Sequence, residues 1–462
     1  MDLTLAEIQK AIRGDLSKEF DGTLKIKGVS TDSRTIKKGE AFFAVKGEKF
    51  DGTKFVKDAL MNGASAVIVS NGENIQCKKV ICVRDTKKAL INLASYYRKK
   101  INPKVCGITG SNGKTTTKDV LALLLEDTYN VVKNRGNFNN EIGLPLTILD
   151  MAKSTEVLIL EMGMSGKGEL SVLNSAAQPD VGIITNVGPA HLAYFSSLKE
   201  IASAKAELIE GLTEDKFAVL NADDYFYDFF RKKTRAKIIT FGVKNKSDFM
   251  AEDIRLFPFK GSTFVLNVQG KKIKVKTSLP GLHNVYNILA AMAAGSMFFD
   301  NLCLLAGKLE KAKPPKMRLE VVNIKDIKIV NDAYNANPDS VMAVLKELGD
   351  YEAKGKKVFV FGGMLELGND SKEYHRKIGE EIVKQDIDYL IIKESDGTVI
   401  TSDAAIQSGM DRNKIFLVKT NEDIVNILLS FIKKQDTILF KGSRATRLEE
   451  AVELLKWRVK NN

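Results

Sequence analysis

Val105-Cys-Gly-Ile-Thr-Gly-Ser-Asn-Gly-Lys-Thr-Thr116 passes from an apolar strand through a glycine-rich loop toward the helical run Val120 to Leu125. That order of strand, loop and helix is the context a phosphate-binding loop requires. Glycines let backbone N–H groups face phosphate oxygens, Lys114 supplies a cation, and the Thr115 hydroxyl can bind Mg²⁺. The candidate cradle is Thr109, Gly110, Ser111, Asn112, Gly113, Lys114, Thr115 and Thr116. The pattern G-x-x-x-x-G-K-[ST] wants glycine where this chain has Ile108, a departure of one residue.

Outward from this loop, β-branched runs alternate with helix-like stretches. Val105 to Thr109, Val157 to Leu160, Val181 to Thr185 and Phe217 to Leu220 form one series. Lys357 to Phe361, Tyr389 to Ile392, Lys414 to Val418 and Thr437 to Phe440 form a second. Such alternation predicts parallel βαβ units, hence two α/β domains. Lys311-Ala-Lys-Pro-Pro-Lys316, with the chain's one Pro-Pro pair, is expected to link them. The first 98 residues are more mixed and end near Arg98-Lys-Lys100 and Pro103. The expectation is an α/β protein of three domains: a small mixed α/β domain over 1–100, a central P-loop domain with a mostly parallel sheet over 101–313, and a C-terminal Rossmann-like domain over 314–462. No fixed-period repeat or low-complexity tract interrupts this organisation.

The 462 residues, 44% hydrophobic and 28% charged with 34 Gly and 9 Pro, suit two to four globular domains and exclude disordered or collagen-like chains. The longest nearly unbroken apolar stretch, Ile288 to Phe299, is too short to span a bilayer. Asp2 and Glu7 among Leu3, Leu5, Ile8 and Ile12 fit an amphipathic helix and not a secretory leader, so a cytoplasmic location is expected. Cys77, Cys82, Cys106 and Cys303 have no C-x-x-C spacing, and His191, His283 and His375 form no H-E-x-x-H, which argues against disulfide and zinc frameworks. The net charge of +12 comes from scattered pairs such as Lys37-Lys38 and Lys271-Lys272, a pattern that suits small anionic substrates at least as well as nucleic acid, so no nucleic-acid partner and no membrane insertion are expected.

Glu161 follows the strand Val157 to Leu160, where parallel sheets collect ligands and where a carboxylate can hold Mg²⁺ on ATP phosphates. His191 and Lys205 lie downstream of the next strand, and each taken singly reads as a surface or core-edge residue.

Further motifs are Ser30-Thr-Asp-Ser-Arg34, Phe42 to Gly52, Asn137-Phe-Asn-Asn-Glu-Ile-Gly143, Glu161-Met-Gly163, Thr185 to His191, Gly281-Leu-His-Asn284 with Asn287, Asn331-Asp-Ala-Tyr-Asn-Ala-Asn-Pro338, Met364 to Gly368 and Lys441-Gly-Ser-Arg444. Together with the phosphate loop they make the chain resemble the Mur ligases, the ATP-dependent amide-forming enzymes of peptidoglycan synthesis, throughout its length. Asn-x-Asn-Asn-Glu-Ile-Gly and Asp-x-Tyr-Asn-Ala-Asn-Pro are particular to the branch that adds D-alanyl-D-alanine. Gly363 stands where that branch often has Asp.

The resemblance implies a ligase that joins UDP-N-acetylmuramoyl tripeptide to D-alanyl-D-alanine through an acyl phosphate, using ATP and two Mg²⁺ ions and acting as a monomer. It implies that Lys205 is carbamylated by CO₂ and, with Thr115, Glu161 and His191, forms the metal set. Lys114, Lys205, His191 and Glu161 would be catalytic. Asn284 and Asn287 would approach the adenine; Arg318, Asp332, Tyr334 and Asn335 would reach the nucleotide from the C-terminal domain. Ser33, Arg34, Glu48, Lys49, Phe50, Asn137, Asn139 and Asn140 would contact the UDP-muramoyl peptide. Two other readings stand beside it: the sister ligase that adds the third amino acid, whose Asp-Asn-Pro-Arg motif is missing here, and a regulatory P-loop ATPase.

Overall fold

The computed structural model describes residues 1–16, 21–47, 51–70, 79–190 and 192–461. Glu48, Lys49, Phe50 and His191 lie outside the described residues.

Three successive stretches of chain make three main sheets. The first orders Asp15–Leu16, Val80–Val83, Ala66–Ser70, Glu40–Phe43 and Gly28–Ser30, with only the first pairing antiparallel. The second has nine strands. From Val131–Lys133 through Val157–Glu161, Lys104–Thr109, Val181–Ile184, Phe217–Asn221 and Lys237–Gly242 to Phe249–Phe257 each neighbour is parallel, and Gly261–Val268 and Lys271–Thr277 close the edge as antiparallel strands. The third orders Glu320–Ile324, Ile327–Asp332, Thr437–Lys441, Lys357–Phe361, Tyr389–Lys393 and Ile415–Val418, with only the first pairing antiparallel.

The central strands are apolar at consecutive positions because both faces are covered. Val105, Leu158, Leu160 and Ile184 join one core, while Cys106, Ile108, Val157, Ile159 and Ile183 join the other. This is the pattern of a parallel sheet with helices on each side. The apolar run noted at Ile288 is the helix Leu282–Gly295, buried along most of its length. No helix among the described residues is long and apolar enough to cross a membrane.

The helix Thr86–Ile101 joins the first two stretches. Leu90, Leu93 and Tyr97 belong to one continuous core with Leu5 and Ile8 before them and Leu144 and Leu173 after them. Near its end the buried Arg98 donates to the Ala177 and Gln178 carbonyls and pairs with Asp180.

Lys104–Thr109 lies between Val157–Glu161 on one side and Val181–Ile184 on the other, so the chain leaves this strand in one direction and later crosses to the opposite side. Open α/β sheets bind ligands in the crevice at such a reversal. The glycine-rich loop emerges there.

Candidate functional site

The helix after the loop spans Lys114–Leu125, so it begins six residues before the apolar run that marked it in the sequence. Its N-cap is Gly113, with φ 84° and no side-chain cap. The first-turn N–H groups therefore face the crevice without a side chain to satisfy them, which favours an anion. Glycine is required on steric grounds: a Cβ at Gly113 would lie 2.0 Å from Asn287 Oδ1. At Gly110, φ 151°, it would lie 1.8 Å from Thr185 Oγ1.

The stretch Thr185 to Gly188 supports the loop from behind. Thr185 Oγ1 donates to the Asn112 carbonyl at 2.6 Å, Asn186 Oδ1 accepts from Asn112 N at 2.9 Å, and Gly188 N donates to Ser111 Oγ at 2.9 Å. The Lys114 ammonium is folded back onto the Gly110 carbonyl at 2.6 Å. Burial holds its pKa below the usual lysine value, with Arg318 adding to the effect and Glu161 opposing it.

Glu161 ends its strand only 3% exposed. It accepts from Thr115 Oγ1 at 2.7 Å and Asn139 Nδ2 at 2.9 Å. Burial alone would push its carboxyl up, but Lys114, the Thr115 hydroxyl, Lys118 and Arg318 together outweigh burial and hold it below the usual carboxylate range. An ionised carboxylate beside a hydroxyl is a hard oxygen pair suited to Mg²⁺. Among the described residues no three His, Cys, Asp or Glu side chains form a ready-made metal cage. At nucleotide sites Mg²⁺ commonly completes its shell with phosphate oxygens and water.

Lys205 lies on the helix Leu198–Glu210 and is 2% exposed, so it is no solvated helix lysine. Burial holds its pKa well below the usual value, reinforced by Lys114 and opposed by Asp224. Asp224 accepts from the backbone of Val187 and Phe226.

The C-terminal stretch closes the crevice. Arg318 donates to Thr115 Oγ1 at 3.0 Å and stacks over Tyr334, 4.3 Å from the ring centre. Its neighbours Met317 and Leu319 have φ of 59° and 51°, a left-handed conformation that is strained for non-glycine residues and tends to persist where a side chain must be aimed. Asp332 accepts from Leu319 N and pairs with the buried Lys441 at 2.7 Å. Asn337 donates to Asn112 Oδ1 at 2.8 Å, a direct bond between the C-terminal stretch and the loop.

These groups surround a cleft of about 1020 Å³ lined by Ser111 to Lys114, Thr116, Asn139, Asn140, Glu161, Asn284, Asn287, Arg318, Asp332, Tyr334 and Asn335, among others. Asn284 and Asn287 share a helix face, as their spacing predicts, and are joined by a 3.0 Å hydrogen bond. Thr109 and Gly110 lie under the loop, and Thr115 joins Glu161 to Arg318. Ser33, Arg34 and Asn137 are not among the residues lining this cleft. Ser33 is buried, and Arg34 is exposed and paired with Asp32.

Sequence reasoning passed over several residues of the site. Asn337 stands within the motif Asn331 to Pro338 but was not singled out there, and Asp224 and Asp339 carry no spacing signal. Lys118 does, standing four residues after Lys114 on the loop helix and therefore on the same face. Gly363 has φ 83°, and a Cβ there would lie 2.7 Å from Thr398 Cγ2, so glycine suits this backbone position.

Three family models match in succession: "Mur ligase family, catalytic domain" over residues 25–105, "Mur ligase middle domain" over 108–295, and "Mur ligase, glutamate ligase domain" over 317–444. The chain is 37% identical to the UDP-N-acetylmuramoyl-tripeptide–D-alanyl-D-alanine ligase of Bacillus subtilis, over 97% of each chain. It is similar to a crystal structure of MurF from Acinetobacter baumannii, with TM-score 0.90, 30% identity and 99% of each chain covered. It is also similar to MurF ligase from Thermotoga maritima in complex with ADP, with TM-score 0.82, 31% identity, and 94% of this chain and 98% of that one covered.

Proposed function

The chain belongs to the Mur ligase family, and we propose that it is the ATP-dependent ligase that joins D-alanyl-D-alanine to UDP-N-acetylmuramoyl tripeptide, with release of ADP and phosphate. The observation that carries this reading is the convergence of Lys114 and Glu161 with Arg318 of the C-terminal stretch on one cleft, with the Thr115 hydroxyl bonded to both Glu161 and Arg318. A free carboxylate cannot form an amide until one oxygen becomes a leaving group. The substrate carboxylate attacks the γ-phosphorus of ATP, ADP departs, and the resulting acyl phosphate is attacked by the dipeptide amine, which expels phosphate and gives up a proton.

Each part of the cleft has a task in that sequence. The open N–H groups of the loop and the Lys114 ammonium hold the phosphates, and Arg318 meets their charge from the opposite wall. Thr115 and Glu161 would hold Mg²⁺, which spreads the negative charge of the transferring phosphoryl group. We assign Asn284 and Asn287 to the adenine end and Asp332, Tyr334 and Asn335, which line the same cleft, to the nucleotide from the C-terminal side. Asn139 and Asn140 lie on the side where the carboxylate would enter, and we assign Ser33, Arg34 and Asn137 to the more distant parts of the UDP-peptide. The acyl phosphate must be kept from water, which a cleft closed by the C-terminal stretch achieves.

Lys205 fits the carbamate role by its chemistry. Burial favours the neutral amine, whose lone pair attacks CO₂; an N–C bond forms, a proton leaves, and the product is an oxygen-bearing anion able to join Glu161 and His191 around a second Mg²⁺. Residues 1–100, 101–313 and 314–462 act in this reading as UDP-peptide, ATP and dipeptide domains of a cytoplasmic monomer.

A coupled assay tests the function. Phosphate release should require both UDP-muramoyl tripeptide and D-alanyl-D-alanine, and a product of the summed mass less water should appear. Release with ATP alone would make the protein a regulatory ATPase, and ligation of a single amino acid to the UDP-dipeptide would make it the sister ligase.

A further inference from the structure

Lys118 is a lysine that the chemistry above leaves unused and that water barely reaches. It lies one turn beyond Lys114 on the loop helix and is 3% exposed. A buried ammonium is costly unless paired and hydrogen-bonded, and an apolar side chain of similar length would fill the same space. Its Nζ donates to the Asn134 carbonyl at 2.9 Å and stands 3.8 Å from Glu161 Oε2.

Asn134, 2% exposed, extends that contact. Its side-chain oxygen accepts from Glu161 N at 2.9 Å, and its Nδ2 donates to the carbonyls of Glu161 at 2.8 Å and Phe138 at 2.9 Å. One amide thus ties the end of the strand Val157–Glu161 to both ends of the turn over 134–138, and Lys118 fastens the residue bearing that amide to the loop helix. The next residues of the turn are Asn139, bonded to Glu161 Oε1, and Asn140, which lines the cleft. A second link between the same helix and the strand Val131–Lys133 already exists at the surface, where Lys133 pairs with Asp119 at 2.7 Å. Mechanical attachment alone therefore does not call for a buried charge aimed at Glu161.

We propose that Lys118 is a positioning residue for ligation: through Asn134 it locks the turn bearing Asn139 and Asn140 to the phosphate-loop helix, so that the carboxylate to be activated and the γ-phosphoryl group are held in fixed relation. The inference rests on the ligase reading of the same cleft and goes beyond it, because Lys118 is not among the residues lining the cleft. Lysine suits the task because its long stem spans from helix to turn and its ammonium donates at the end. Methionine keeps the stem and loses the donor.

The test compares wild type, Lys118→Met, Lys118→Arg, Asn134→Asp and the double variant Lys118→Met/Asn134→Asp, with rates normalised to folded protein. Lys118→Met should lose about a hundredfold in kcat/KM for the UDP-peptide, while ADP affinity measured calorimetrically without Mg²⁺ changes less than about threefold. Lys118→Arg should recover part of the loss, since it still donates to Asn134. Asn134→Asp should resemble Lys118→Met, and the double variant should be no worse than the weaker single one, because residues acting in one chain of contacts are not additive. Folded Lys118→Met with wild-type kcat/KM, or losses that multiply in the double variant, would overturn the proposal. Should Lys118→Met not fold, an unchanged kcat/KM in Asn134→Asp overturns it alone. A wild type that fails to couple phosphate release to both substrates counts against the ligase reading instead.

Discussion

Lys114 is close enough to Lys205 to add to the burial that depresses the Lys205 pKa, yet the substitutions of the two lysines should separate cleanly. Lys114 bonds only to carbonyls of its own loop, so Lys114→Ala should fold normally and lose about 100- to 1,000-fold in kcat, the size expected for a donor aimed at developing charge. Near-normal turnover by a folded variant would remove its phosphate role. Lys205→Ala should lose most activity and regain part of it with short carboxylic acids, which can fill the vacated space and offer Mg²⁺ the oxygens of the carbamate. Rescue by small amines but not by acids would reverse the assignment, since only a cation would be replaced by an amine. Among single residues, the sequence yields what repeats a known pattern and misses what depends on burial. Lys114 is readable from the glycines before it. Lys205, in Ala204-Lys-Ala-Glu207, looks like any solvated helix lysine, and only the resemblance singled it out. Lys118 had the right spacing, but nothing in the residues around it says that water is excluded.

Helices and strands differ in the same way. All eight strands expected from β-branched runs form; most are buried along nearly their whole length and so apolar at consecutive positions, while Ile415–Val418, at a sheet edge, is only partly buried. Val131–Lys133 and the antiparallel set Phe249–Phe257, Gly261–Val268 and Lys271–Thr277 went unread. Lys271–Thr277 alternates lysine with apolar residues because one face meets water at the sheet edge, and those charges discourage pairing with another edge. The loop helix owes its start to Gly113. Gly113→Ala should force an L-residue into a left-handed conformation and drive Cβ into Asn287, so ADP affinity should fall about tenfold or more. Calorimetry decides it, and unchanged affinity would show that the loop tolerates another conformation. The first helix, Leu5–Ile12, is held through Glu7, which closes a capping box with Thr4 and pairs with Lys100 of the helix Thr86–Ile101. The Lys100 and Thr4 bonds lower the Glu7 carboxyl from 4.5 to about 2. A lowered acid pKa stabilises the fold above the unfolded value, so the contribution is complete above pH 4.5 and is lost as pH falls through about 2. Because the side chain is partly exposed, it amounts to under about 1 kcal/mol. Glu7→Gln should therefore speed amide exchange in this helix at neutral pH and make no difference near pH 2. An effect that persists in acid would assign the stabilisation to packing.

Across the whole molecule the site is assembled from parts that fold around different cores. The central core includes Leu305, Leu309 and Ala312, and it ends just before Pro314. Phe259 belongs instead to the C-terminal core, and its backbone N–H is held by Glu347 across the boundary. A chain cut after residue 313 keeps the central core complete, retains the shared core around Thr86–Ile101, and loses Arg318, Asn337 and the partner of Phe259. It should fold, expose one apolar side chain, and bind UDP-muramoyl tripeptide through the first two domains. ADP should bind more weakly, since the loop remains but the Arg318 wall is gone. Ligation should be absent, because the amine has no site and the acyl phosphate no protection from water. Adding residues 314–462 as a separate chain should restore little activity: a few interdomain hydrogen bonds, among them Arg318 to Thr115, Asn337 to Asn112 and Phe259 to Glu347, cannot replace the effective concentration that the short linker provides. Product from the truncated chain alone would mean that the first two domains complete the site. A fragment that neither folds nor binds the UDP-peptide would mean that the boundary at 313 divides a single folding unit.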